Sequence, residues 1–106
     1  MMNDNPLVSV AMATFNGERF LRQQLDSIYA QTYKNIEIIA TDDGSTDKTV
    51  DILEEYRLKH GLKYWRNENT LGYVKNFEKA ASLCEGNYIA FCDQDDVWVP
   101  RKIETL

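Results

Sequence analysis

Three carboxylates crowd into the tetrapeptide Asp93-Gln94-Asp95-Asp96, directly after the apolar run Tyr88-Ile89-Ala90-Phe91-Cys92. That run reads as a buried strand, and buried strands of α/β proteins end at the ligand crevice. Neighbouring carboxylates repel one another, and a hard divalent cation such as Mg²⁺ or Mn²⁺ relieves the repulsion. A cation held by one or two carboxylates keeps coordination positions open, which phosphate oxygens of a nucleotide can fill. The competing reading is a polar turn or helix start, where acidic residues also gather.

Two further clusters carry the same double reading. Asp42-Asp43-Gly44-Ser45 ends a second apolar run, Ile36-Glu37-Ile38-Ile39-Ala40-Thr41. A carboxylate there can accept a hydrogen bond from a ribose hydroxyl or a base N–H, or it can serve only a turn and a helix cap. A calcium loop of the EF-hand kind is excluded, because Ile39 and Thr41 stand where that loop needs Asp or Asn before its glycine. In Thr14-Phe15-Asn16-Gly17, Phe15 leaves a strand where it can stack on a base, or it can pack in the core. Asn67, Gly72 and Lys75 bracket a third strand-to-helix connection, where a helix start and a lysine suit an anion unless Lys75 is merely exposed. Neither GxGxxG nor GxxxxGK[ST] occurs, which disfavours Rossmann dinucleotide and P-loop chemistry.

These clusters must be positioned by alternating strands and helices. Leu7 to Ala13 is an apolar strand broken by Asn16-Gly17, and Glu18 to Gln31 carries the helical stripe Leu21, Leu25 and Ile28, with Asn16 as its expected N-cap. Ile36 to Thr41 is a strand. A helix follows from about Lys48 to His60, with Val50, Leu53 and Tyr56 inward and Gly61 closing it. Leu62 to Arg66 is a shorter strand. Val74, Phe77, Ala81 and Cys84 then mark a helical stripe stopped by Gly86, ahead of the strand Tyr88 to Cys92. Val99-Pro100 is expected to open one more helix. Strands alternating with helices imply βαβ units and a mostly parallel sheet. Such a four-strand sheet has two open edges that need cover, so the chain is expected to be the first part of a larger domain.

Length and composition bound the function. A chain of 106 residues is one domain at most, and 43% hydrophobic with 27% charged residues is ordinary for a globular protein. A net charge of −5 argues against nucleic-acid binding, which calls for a basic face. No run approaches the roughly 20 apolar residues of a membrane span, and the segment from Met1 to Pro6 lacks a signal peptide's apolar stretch. Cys84 and Cys92 lack CxxC spacing and read as free thiols in a reducing, cytoplasmic compartment. His60, the single histidine, sits at a helix end and reads as structural.

Five segments in order then carry a resemblance. They are Val8-Ser9-Val10-Ala11-Met12-Ala13-Thr14-Phe15-Asn16-Gly17, Gln31-Thr32-Tyr33, Asp42-Asp43-Gly44-Ser45-Thr46-Asp47, Asn69-Thr70-Leu71-Gly72 and Cys92-Asp93-Gln94-Asp95-Asp96-Val97-Trp98. Together, from Val8 to about Ile103, the chain resembles the family 2 glycosyltransferases, inverting enzymes of GT-A fold that use nucleotide-sugar donors. Each motif is modest alone; their order makes the match specific. The Asp-Gln-Asp-Asp-Val-Trp variant is similar to enzymes of bacterial surface-polysaccharide and O-antigen assembly, including rhamnosyltransferases.

The resemblance implies an open Rossmann-like α/β sheet of strand order 3-2-1-4 with helices on both faces. It implies that Asp95, with Asp93, holds Mn²⁺ or Mg²⁺ at the donor diphosphate, and that Asp93 sits near ribose or metal. It implies that Asp43 accepts from a uracil- or thymine-type base, that Phe15 and Asn16 line the nucleotide site, and, more loosely, that Lys75 faces the diphosphate. Phe15 departs from the family's frequent tyrosine and offers no hydroxyl. The implied partners are a UDP- or dTDP-type donor and a glycan or lipid-linked acceptor, with peripheral membrane association of the full-length enzyme at the inner face. The general base is expected beyond Leu106, and the apolar fourth strand is expected to drive self-association of the 106 residues. The other classes that fit worse are a receiver-type module, a nucleotidyltransferase and a catalytically silent nucleotide- or metal-binding module. The first strand ends without a receiver's acidic pair, and no Gly-rich basic loop of a nucleotidyltransferase follows it.

Overall fold

Alternation of apolar residues along the first strand decides how the sheet is covered. In a computed structural model describing residues 5–93 and 97–104, the order of elements is β1 (Val8–Thr14), α1 (Glu18–Tyr29), β2 (Ile36–Asp42), α2 (Thr49–His60), β3 (Lys63–Arg66), α3 (Tyr73–Ser82) and β4 (Tyr88–Cys92). The strands form one parallel sheet of order β3-β2-β1-β4. Val8, Val10 and Met12 point to one face, where they join Ile38 and Ala40 of β2, Leu21, Leu25 and Ile28 of α1, and Ile52, Leu53 and Tyr56 of α2. Burying a side chain such as Leu25 or Leu53 contributes about 1.5–3 kcal/mol. Ser9, Ala11, Ile39 and Thr41 point to the other face and are buried as well. There α3 packs against β1 and β2. Helices on both faces of an open parallel sheet are therefore the architecture, as the sequence led one to expect.

The helix ends show how local chemistry sets the boundaries. Gly61 closes α2 in the left-handed region at φ 76°, and its N–H bonds the Arg57 carbonyl at 3.0 Å. His60 stacks on Tyr29 with ring centroids 4.2 Å apart, in keeping with a structural role. Tyr56 ties α2 to α1 by donating to Asp26 at 2.6 Å.

Four expectations are corrected. Asn16 is not the N-cap of α1: Gly17 is, without a side-chain bond, and Asn16 Oδ1 accepts instead from the Thr46 N–H at 2.8 Å. α3 buries Asn76 and Ala80 and not the apolar Val74, which is 64% exposed. The cause is polar: Asn76 exchanges hydrogen bonds with Thr41, and this turns Val74 outward. β4 is no buried strand, since Tyr88, Ile89 and Phe91 are all exposed; it pairs on one side only, with β1. Among the described residues, the segment after Val99-Pro100 forms a turn and no helix, with Lys102 N–H bonded to the Val99 carbonyl at 3.1 Å. That turn packs Ile103 into the core beside Trp98.

Candidate functional site

β1 lies between β2 and β4: its crossover to β2 runs through α1 on one face, while the crossover from β3 to β4 runs through α3 on the other, a topological switch point that opens a crevice at the strands' carboxyl ends. Two adjacent carboxylates at the end of β2 divide its work. Asp42 is fully buried and accepts from the Thr14 hydroxyl at 2.7 Å, the Ser45 hydroxyl at 2.6 Å, and the N–H groups of Ser45 at 2.9 Å and Gly44 at 3.2 Å. It holds the β1 end and the 42–45 turn together. Asp43 points the other way, into the connection between β3 and α3. Its Oδ1 accepts from Leu71 N–H at 2.7 Å and the Asn67 amide at 2.9 Å, and its Oδ2 from Gly72 N–H at 2.9 Å. Gly72 adopts φ 89° and ψ 163°, a backbone state essentially closed to other residues, and this aims its N–H at the carboxylate.

A second tier holds that loop. Asn67 donates to Asn76 Oδ1 at 2.9 Å and accepts from the Lys79 ammonium at 2.8 Å. Burial pushes the Asp43 carboxyl upward, but the Leu71 N–H, the Asn67 amide, the Gly72 N–H and the charge of Lys79 outweigh it, leaving Asp43 below the usual carboxylate range. It is an ionised, pre-oriented acceptor.

Asp43 lies at the floor of a cleft of about 260 Å³ lined by Ala13, Thr14, Phe15, Asp43, Thr70, Gly72, Tyr73 and Asn76. Two aromatic rings are offered at it, Phe15 at 51% and Tyr73 at 62% exposure. A base can lie between apolar surface and a charged acceptor there, the usual composition of a small-molecule site. A larger hollow of about 490 Å³, lined by Pro6, Val8, Tyr33, Tyr88 and Ile103 among others, sits at the strands' amino ends, away from this chemistry.

Asp93 follows β4 and faces solvent. The Tyr73 hydroxyl donates to its Oδ1 at 2.6 Å, while its main-chain carbonyl accepts from the buried Gln24 amide of α1. The bond to Asp93, helped by burial and the carboxylate charge, raises the Tyr73 phenol. The Trp98 N–H bonds Ser27 Oγ at 3.0 Å, and Gln31 clasps Val99 O at 2.7 Å and Ile103 N–H at 2.9 Å. One face of α1 thus grips the chain on both sides of residues 94–96. Asp95, named from the sequence as metal ligand, lies outside the described residues. Among the described residues no three His, Cys, Asp or Glu side chains gather at one point. The chemistry of the rim nevertheless fits a hard cation: Asp42 and Asp43 are occupied by the chain's own donors, whereas Asp93 presents an exposed carboxylate that, among the described residues, is bound by a single hydroxyl.

The sequence-named residues therefore separate. Phe15 and Asp43 meet in the cleft, and Asp93 joins it through Tyr73. Asn16, at φ 49°, is exposed and bonds Thr46 and Ser45. Lys75 is exposed on the first turn of α3, and the cation acting on Asp43 is Lys79. Thr70, Tyr73, Asn76 and Lys79 were not legible as site residues. Thr70, within the Asn69-Thr70-Leu71-Gly72 segment, and Tyr73, an aromatic directly after the loop glycine, carried signals that could have found them.

An open parallel sheet of this strand order, with helices on both faces, matches the GT-A fold that the resemblance implies. The chain belongs to glycosyl transferase family 2: that family's model matches residues 9–106. A glycosyltransferase of Haemophilus influenzae is 38% identical over 106 residues, covering 99% of this chain and 33% of the relative. A crystal structure of S. aureus TarS in complex with UDP superposes with a TM-score of 0.85 at 32% identity, over 92% of this chain and 30% of that one. The mannosyltransferase PcManGT of Pyrobaculum calidifontis, in complex with GDP-Man and Mn²⁺, gives a TM-score of 0.82 at 26% identity, over 91% and 29%. The chain spans about a third of the length of these relatives.

Proposed function

We propose that these residues bind the donor of an inverting glycosyltransferase, a nucleotide-diphospho sugar of UDP or dTDP type, for hexosyl or rhamnosyl transfer to a glycan or lipid-linked acceptor of the bacterial cell surface. The observation that carries the reading is the ionised Asp43, fixed by three N–H donors at the floor of a cleft flanked by Phe15 and Tyr73. Asp43 accepts the N3–H of the pyrimidine, and Phe15 covers its ring. The similarity to TarS bound to UDP and to PcManGT bound to GDP-Man and Mn²⁺ supports a nucleotide-sugar donor and a divalent cation.

On this reading Asp93 and Asp95 would hold Mn²⁺ or Mg²⁺. When bound, the cation neutralises charge on the diphosphate leaving group. Neither β2 carboxylate is free to take the acceptor's proton, because both are engaged by the chain's own donors, and we assign the general base to a segment outside the 106 residues. The active protein works in the cytoplasm, at the inner face of the membrane. The test is calorimetric titration of UDP and GDP with Mn²⁺ and again with EDTA. We expect UDP to bind more tightly than GDP and more tightly with Mn²⁺. Equal UDP affinity in both conditions would remove the metal from the reading, and tighter binding of GDP would remove the pyrimidine.

A further inference from the structure

Tyr73 belongs to two places at once. Its ring lines the cleft with Phe15 and Asp43, and its hydroxyl donates to Asp93 Oδ1 at 2.6 Å. Its ring also meets Phe77 edge-on at 5.1 Å, and Phe77 meets Phe91 of β4 at 5.8 Å, so the side chain is braced from below. The carbonyl of Asp93 is held independently by Gln24 on the opposite face of the sheet. Gln24 thus holds the main chain at Asp93, and the Tyr73 hydroxyl restricts the rotation of its carboxylate.

We propose that Tyr73 is a positioning residue that sets the carboxylate of Asp93 for the cation and couples that end of the site to the nucleoside cleft. The inference rests on the reading of Asp93 as cation-facing. A hydrogen bond to a ligating carboxylate orients it before the cation arrives, and loss of such a partner typically weakens metal affinity about 10–100-fold. A nucleoside resting against the Tyr73 ring restricts the same side chain. Cation and nucleoside must then raise each other's affinity by the same factor, since coupling between binding sites is reciprocal.

The variant Tyr73→Phe keeps the ring and removes the bond. Uridine is titrated without metal, and UDP with Mn²⁺ and with EDTA, on the parent chain, Tyr73→Phe, Asp93→Asn and the double variant, with thermal melts alongside. The expected result is that Tyr73→Phe lowers the Mn²⁺-dependent gain in UDP affinity about tenfold or more. Uridine affinity should move by a smaller factor, and the melt should stay in place. In the Asp93→Asn background the same substitution should change nothing further. An undiminished gain in Tyr73→Phe overturns the proposal while leaving the cation reading intact. Equal losses for uridine and for UDP with Mn²⁺ overturn it too, by placing the hydroxyl on the nucleoside. A parent chain without any Mn²⁺-dependent gain fails the reading and the proposal together.

Discussion

At the end of β2, the carboxylate of Asp42 accepts four hydrogen bonds and that of Asp43 accepts three, all from this chain. At the end of β4, the carboxylate of Asp93 accepts one from the described residues, from an exposed tyrosine. The β2 rim is buried between helices on both faces and pairs on both sides. The β4 rim pairs on one side only, and Tyr88, Ile89 and Phe91 stand exposed along it. A carboxylate satisfied by its own fold is a finished part, fixed before any ligand arrives. A carboxylate left open draws its remaining partners from outside. The same residue type thus stands either finished or open according to how many donors the sheet brings to it, and the proposed roles in recognition and cation binding follow that difference.

The largest expected effect falls on the most finished group. Asp42→Ala strips partners from two hydroxyls and two N–H groups in a fully buried place, and we expect a loss of about 3–5 kcal/mol in urea unfolding. Asp42→Asn should cost much less, because the Thr14 and Ser45 hydroxyls at Oδ1 can rotate to accept from the new amide. A small loss in Asp42→Ala would show that water or a rotated turn replaces the carboxylate.

Asp43→Asn sharpens the contrast between the neighbours. The Leu71 and Gly72 N–H groups, one at each oxygen of Asp43, cannot accept, so an amide must set its own NH₂ against one of them. We expect about 1–3 kcal/mol of destabilisation and a loss of uridine binding of roughly tenfold or more, measured well below the melting transition. Stability lost with uridine binding unchanged would confine Asp43 to holding the loop.

Acid should undo the β2 rim before it touches the core. The carboxyl of Asp43 lies lower in the folded chain than its unfolded value near 4, since the loop donors and Lys79 more than offset burial. A depressed folded value contributes stability that is present above the unfolded pKa and disappears as pH falls through the folded one. Asp47 behaves alike, burial being outweighed by its bonds to Thr49 and Glu18. Urea midpoints should therefore hold from pH 7 to about 5 and fall below pH 4, less steeply in Asp43→Asn. An identical slope in that variant would assign the acid sensitivity elsewhere.

The contrast also explains what the sequence could disclose. Continuous apolar runs disclosed β1 and β2, because a strand buried between two helical layers has little room for polar side chains. Strand order rested on the resemblance, since no local pattern encodes which strands adjoin. The lining of the candidate cleft was legible where a residue stood on a strand end, as Phe15 and Asp43 do, with Asp93 beside it through Tyr73. It was not legible where partners come from afar: Asp42 and Asp43 are neighbours of one type, and their donors, Thr14 and the 67–72 loop, decide which is architecture. The stripe Val74-Phe77-Ala81-Cys84 misled for the same reason. A buried Asn76, reading the Thr41 backbone across the sheet, rotates α3 away from its apolar side.

The smallest effect on stability should come from the apolar residues of the β4 rim. Phe91 is 55% exposed, and its clearest partner is the edge-on contact with Phe77 at 5.8 Å. Such an aromatic pair contributes about 0.5–1.5 kcal/mol, so Phe91→Ser should cost about 1 kcal/mol, against about 2–5 kcal/mol for Leu25→Ala in the core. Its other consequence concerns association. An edge strand with apolar side chains and unpaired backbone groups favours contact between copies, and sedimentation velocity should show the 106-residue chain associating, with Phe91→Ser shifted toward monomer. A loss near that of Leu25→Ala would mean that Phe91 is core in solution and that the two rims differ less than their exposure indicates. Unchanged association in Phe91→Ser would move the sticky surface to the Val74 side of α3, where the next substitution belongs.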